Sequence, residues 1–142
     1  MEAPAGTGQT GGLRRGNERR RWMRYACEGF SEVAIFEPEA LLRGQIRNLS
    51  EHGCFVETRA RVYAELRAVA SVRFNLQNRQ YRVLARVANV RPGEGVGFEF
   101  QFEDARMETE IRHLVQELDG IEQRAAATGT VVRRNRTAPG TF

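Results

Sequence analysis

Two short patterns carry residue types able to recognise a phosphorylated, base-bearing ligand. In ERRRWMR, residues 18–24, Arg20 and Arg24 form an RxxxR pair, with Arg19 and Arg21 beside it. A guanidinium fork donates two parallel hydrogen bonds to a phosphate or to the O6/N7 edge of a guanine, and its flat face stacks on a base. In NLSEHG, Asn48, Ser50 and Gly53 follow 24 residues after Arg24. A short amide or hydroxyl there bonds a purine edge from the other side. Gly53 permits either a positive-φ turn or close approach to a flat ligand. Each pattern alone has an ordinary reading, since arginine is abundant and Asn, Ser and Gly are common turn residues. Their order is what gives them meaning.

The elements that position them read mainly as strands. Alternation puts Val33 with Ile35 on one face, then Leu42, Gly44 and Ile46, then Cys54, Val56 and Thr58 opposed by Phe55 and Glu57. Ala68, Ala70, Val72 and Phe74 line one side of the next strand; Arg67, Ser71, Arg73 and Asn75 line the other. The QNR stretch, residues 77–79, reads as a hairpin turn into Tyr81, Val83, Ala85 and Val87, with Arg82 and Arg86 outward. After RPGEG, Val96, Phe98, Phe100 and Phe102 share the face of a last strand. About six closely spaced antiparallel strands without intervening helices predict a small closed barrel, because closure satisfies the edges that an open sheet leaves bare. One helix follows, capped by Asp104, with a stripe of Met107, Ile111, Leu114, Val115 and Leu118, and Gly120 as its stop. That stripe covers either the barrel or a partner chain. The domain organisation expected is a disordered arm over 1–17, a barrel with its helix over 18–120 and a flexible basic tail over 121–142.

Charge is unevenly placed. All 22 basic residues are arginine, against 18 acidic residues, for a net +4. Residues 1–24 hold six Arg against Glu2 and Glu18, about +4; residues 121–142 hold four Arg against Glu122, about +3; residues 25–120 are therefore about −3. A duplex-DNA reader wants a basic face on its body, so this distribution argues against nucleic acid as partner. Two cysteines, Cys27 and Cys54, make neither a disulfide framework nor a metal set and suit a reducing cytoplasm. No stretch approaches the roughly 20 apolar residues of a membrane-spanning helix. For an enzyme there are no paired carboxylates or nucleophile triad, and His52 beside Ser50 lacks an orienting acid.

In this order and setting, the sequence resembles the PilZ domain family, whose signature is RxxxR followed by (D/N)xSxxG on a six-stranded antiparallel barrel. Arg20, Arg24, Asn48, Ser50 and Gly53 fill every signature position, and GCFVET after Gly53 and GVGFEF over 95–100 extend the likeness across roughly residues 18–119. The resemblance implies a non-catalytic receptor for cyclic di-GMP with no cofactor. Arg20 and Arg24 would clamp phosphate and guanine edges, Asn48 and Ser50 would bond a guanine from the barrel side, and Gly53 would hold the loop's shape. Arg21 would be an auxiliary phosphate contact, and Arg19 would stack between guanines, which in relatives accompanies an intercalated ligand dimer. Asn48 stands where aspartate is commoner and removes a charged acceptor. The arginine segment would order on binding and signal to a downstream protein partner. The alternative from a different class is a nucleic-acid-binding barrel using both basic arms, which has no need of the NxSxxG loop.

Overall fold

The computed structural model describes residues 23–37 and 39–129. Its elements are β1 (Tyr25–Phe36), β2 (Glu39–Leu49), β3 (Gly53–Glu57), β4 (Val69–Leu76), β5 (Arg79–Arg91), β6 (Gly95–Phe100) and α1 (Ala105–Ala127). All strand pairs are antiparallel, and the order β1-β2-β3-β6-β5-β4 closes as β4 returns to β1, with Val33 opposite Val72. The expected six-stranded barrel is therefore present, and closure leaves no bare edge.

Alternation fills the interior. Val33, Ile35, Ile46, Cys54, Val56, Val72, Val83, Val87, Val96 and Phe98 are all buried in one core with Tyr25 and Leu49. Ser31 is the polar member of this inward set in β1, and its hydroxyl donates to the Arg73 carbonyl at 3.0 Å, so its burial leaves no donor unsatisfied. The hairpin turn is Gln77-Asn78, both at positive φ (53° and 61°), between paired Leu76 and Arg79. That is the left-handed geometry a two-residue hairpin needs to match strand twist. On the outside, Arg73 pairs with Glu32 and Arg86 donates to the Arg67 carbonyl at 2.8 Å, so neither is a simple solvated charge.

Asp104 caps α1 as expected, accepting from the Met107 amide at 2.9 Å. Ile111, Leu114, Val115 and Leu118 join the barrel's own core, which settles what the stripe covers. Burial of each contributes about 1.5–3 kcal/mol. Gly120 does not stop the helix, which continues to Ala127. A glycine within a helix costs only about 1 kcal/mol, and the Ala-rich run that follows restores favourable propensity. Residues 121–127, expected in the tail, are helical. The expected arm over 1–17 and the remainder of the tail from residue 130 lie outside the described residues.

Candidate functional site

Three irregularities in the ladders lie at one level of the barrel. In β1 the register shifts between Ala26 and Gly29, in β2 between Ile46 and Asn48, and in β5 between Val87 and Asn89. Each extra residue re-aims the side chain beyond it. Ile46 and Leu49 both point into the core, so two residues between them, Arg47 and Asn48, point out. The result is a transverse outer row: Ala26 opposite Asn48, Asn48 opposite Phe55, Phe55 opposite Gly97, and Gly97 opposite Asn89.

Arg24 precedes β1. Because Tyr25 pairs with Leu49, the start of β1 runs beside the end of β2 and the loop that follows. The structure thus brings Arg24 together with Asn48, Ser50 and Gly53. Arg19, Arg20 and Arg21, the other expected contacts, lie outside the described residues, as does Trp22. Arg24's guanidinium is held below its ordinary range, first by desolvation and second by the positive charge of Arg91.

Asn48 is fully buried, and neither its amide oxygen nor its amide nitrogen has a hydrogen-bond partner. A buried polar group in that state costs about 1–3 kcal/mol, a cost that a complementary donor and acceptor would remove. Ser50 is also buried, but its hydroxyl is engaged inside the loop. Its Oγ accepts from the amides of His52 (3.1 Å) and Gly53 (3.2 Å), while the Ser50 amide donates to the Gly53 carbonyl at 2.9 Å. Ser50 therefore holds a tight turn. Gly53 does not adopt positive φ. It is glycine because β6 passes so close that a Cβ would stand 2.1 Å from the Phe98 carbonyl oxygen, so the close approach is by a neighbouring strand.

Two residues of this face escaped sequence reasoning. Phe55 is 7% exposed yet belongs outside the interior core; its ring lies over Gly95, where a Cβ would meet ring carbons at 2.6 and 2.7 Å. Arg91, paired with Gly95, sets its guanidinium carbon 5.8 Å from the Phe55 ring centroid. The available signal was an aromatic on the outward phase of a strand whose inward phase is Cys54 and Val56. Cys54 itself is in the core, where burial raises its thiol well above the ordinary range; Cys27, half-buried, is pushed up to about 12, chiefly by burial. Neither is a nucleophile at neutral pH. Among the described residues, no group of three or more His, Cys, Asp or Glu could hold a metal, and no helix is long and apolar enough to cross a membrane.

A closed six-strand antiparallel barrel with a terminal helix, a glycine-braced turn and an arginine beside a buried amide defines a small β-barrel domain. The family model of the PilZ domain matches residues 18–117, and the chain belongs to that family. No curated protein matches it. Among solved structures it is similar to the PilZ domain of CeSA from a cellulose-synthesizing bacterium, at 21% identity and TM-score 0.58 over 68% of this chain and 98% of that one. It is also similar to Escherichia coli YcgR in complex with c-di-GMP, at 15% identity and TM-score 0.64 over 78% of this chain and 50% of that one. The K. pneumonia MrkH–c-di-GMP complex is similar at 14% identity and TM-score 0.59, over 71% of this chain and 51% of that one. The matched region is thus about half the length of YcgR and of MrkH.

Proposed function

We propose that the chain is a receptor for cyclic di-GMP, a binding module and not an enzyme, with its site on the outer barrel face between Arg24 and the Asn48–Gly53 loop. Family membership and structural likeness to two c-di-GMP complexes support this reading. The observation that carries it is Asn48, a buried amide with both polar atoms unpartnered, in the signature loop and beside Arg24. A guanine edge supplies both the donor and the acceptor that this amide lacks. Arg24 and Arg20 supply charge-assisted bonds to phosphate and guanine, Arg21 an auxiliary phosphate contact, and Arg19 a stacking plane for an intercalated ligand pair. Gly53 and the Ser50 hydroxyl keep the turn in the shape that presents Asn48; Ser50 can also turn its proton from the Gly53 carbonyl, 3.5 Å away, toward a guanine.

Binding would order the arginine segment. Fixing backbone costs about 1–2 kcal/mol per residue, so several charge-assisted bonds must form together. The ordered segment then presents a face to a downstream protein.

Isothermal titration of the full chain with cyclic di-GMP tests the reading. Arg24→Ala should weaken binding by about tenfold or more, and Asn48→Ala similarly. A stoichiometry of two ligands per chain is expected for the intercalated pair. Absence of heat in the wild type, with the fold verified by circular dichroism, defeats the reading. Binding to an unrelated oligonucleotide with equal affinity and a steep salt dependence would replace it with the nucleic-acid alternative.

A further inference from the structure

Arg91 lies outside both signature motifs, at the far end of β5, yet it faces the same outer surface. Val90 and Val96 pair toward the core, so Arg91 and its partner Gly95 point outward, with Phe55 leaning over Gly95. The missing side chain at Gly95 is what lets the ring settle against the sheet. Phe55 is therefore an anchored aromatic on the outside of the barrel, and Arg91 lies within cation–π range of it.

The charge around Arg91 is unbalanced. Elsewhere on the outer surface, Arg47 of β2 is held by Glu57 at 2.9 Å and Glu28 at 3.5 Å, whereas no carboxylate among the described residues pairs with Arg91. Its charge instead bears on Arg24. An anion entering between the two guanidinium groups is attracted by each and offsets their mutual repulsion. The unpartnered Asn48 amide lies on the row that spans the interval.

We propose that Arg91, braced by Phe55, is a ligand-contacting residue that grips a phosphate of the cyclic dinucleotide from the side opposite Arg24. The proposal rests on the cyclic di-GMP reading above and adds a second cationic contact from β5. Phe55 is a positioning residue: it limits the rotamers open to a long side chain and so reduces what is lost on binding.

Titration of the wild type, Arg91→Ala, Arg91→Gln, Arg91→Lys and Phe55→Leu with cyclic di-GMP, each at several salt concentrations and with its melting temperature measured, decides the matter. Arg91→Ala and Arg91→Gln should weaken binding by about tenfold or more and make it less salt-dependent, because one charge-assisted bond is lost. Arg91→Lys should recover the salt dependence but only part of the affinity, since the fork is gone. Phe55→Leu should weaken binding less, and its effect should vanish in the Arg91→Ala background. Wild-type affinity and salt dependence in folded Arg91→Gln overturn the Arg91 assignment while leaving the Arg24–Asn48 site standing. A wild type that does not bind overturns both. If Arg91→Ala fails to fold, the glutamine and lysine variants, which keep the half-buried stem, carry the same test.

Discussion

Arg112 of α1 reaches Glu51, in the middle of the β2–β3 loop, at 3.8 Å, with the Glu51 side chain only 12% exposed. One residue on, the His52 carbonyl accepts from the Phe100 amide at 2.7 Å, just where the chain leaves β6 for the helix. The loop that presents Asn48 is thus tied to α1 by a side-chain contact and a backbone contact, so a ligand that moves the loop must load both.

Arg112→Ala should therefore alter communication more than stability. The pair is long and Arg112 is half-exposed, so its loss should cost no more than about 1 kcal/mol. Hydrogen exchange in α1 should slow on addition of cyclic di-GMP in the wild type and respond less in Arg112→Ala. An identical response in both would show that Phe100 and His52 alone transmit the change.

Asn48→Leu should separate stability from binding. Removing a buried amide with no partner relieves its desolvation cost, so the unliganded protein should gain roughly 1–2 kcal/mol. Binding should disappear in the same variant. A loss of stability in urea denaturation would mean that the amide is satisfied within the protein.

Gly53→Ala tests the reason given for that glycine. The added Cβ would stand 2.1 Å from the Phe98 carbonyl oxygen, so β3 and β6 must part. The expected cost is about 1–3 kcal/mol, read as a lower denaturation midpoint. A neutral effect would contradict the close packing of these strands.

Gly120→Ala should act in the opposite direction. A Cβ there meets only the Arg124 guanidinium, at 3.4 Å, and the position is within the helix. Replacing glycine in a helix interior should stabilise by about 0.5–1 kcal/mol. Destabilisation would mean that the helix ends at this glycine in solution.

The two thiols set a limit on the alkaline side. Cys54 is raised well above its ordinary value and Cys27 to about 12, first by burial in both cases. A folded-state value above the unfolded one means that the native state holds the proton more tightly. This contribution is complete below the unfolded thiol's range, near pH 9, and is lost as pH rises toward 12. Denaturation midpoints should fall across that window, and iodoacetamide should label neither thiol at pH 7 in the folded protein. Fast labelling of Cys27 at pH 7 would refute its burial.

Much of the fold was legible because the inward phase of each strand is apolar: Val72 and Phe74, Val83 and Ala85, Val96 and Phe98 all read correctly as one face. The hairpin at Gln77-Asn78 and the Asp104 cap were likewise local features. The candidate outer site was legible only through its motifs. Alternation cannot follow a strand through a bulge, so the outward turn of Asn48 beside Arg47 was invisible, and Phe55 read as a residue merely opposed to Cys54. Arg91 sits beside a turn, and nothing in its neighbours' spacing reveals an aromatic brought from β3. Gly53 was singled out for a ligand or a turn, whereas the close approach that the structure shows is by β6. Gly120 misled because a stop signal is a propensity that an alanine-rich continuation overrides.

The bulge in β2 leaves the interior indifferent to its presence. With Arg47 removed, Ile46, Asn48 and Leu49 would still run inward, outward, inward, and the hydrophobic filling would keep its sequence; the same holds for Ala88 between Val87 and Asn89. Single-codon insertions and deletions at these two places are therefore a route by which evolution can redraw the exterior of such a domain while its scaffold is inherited intact.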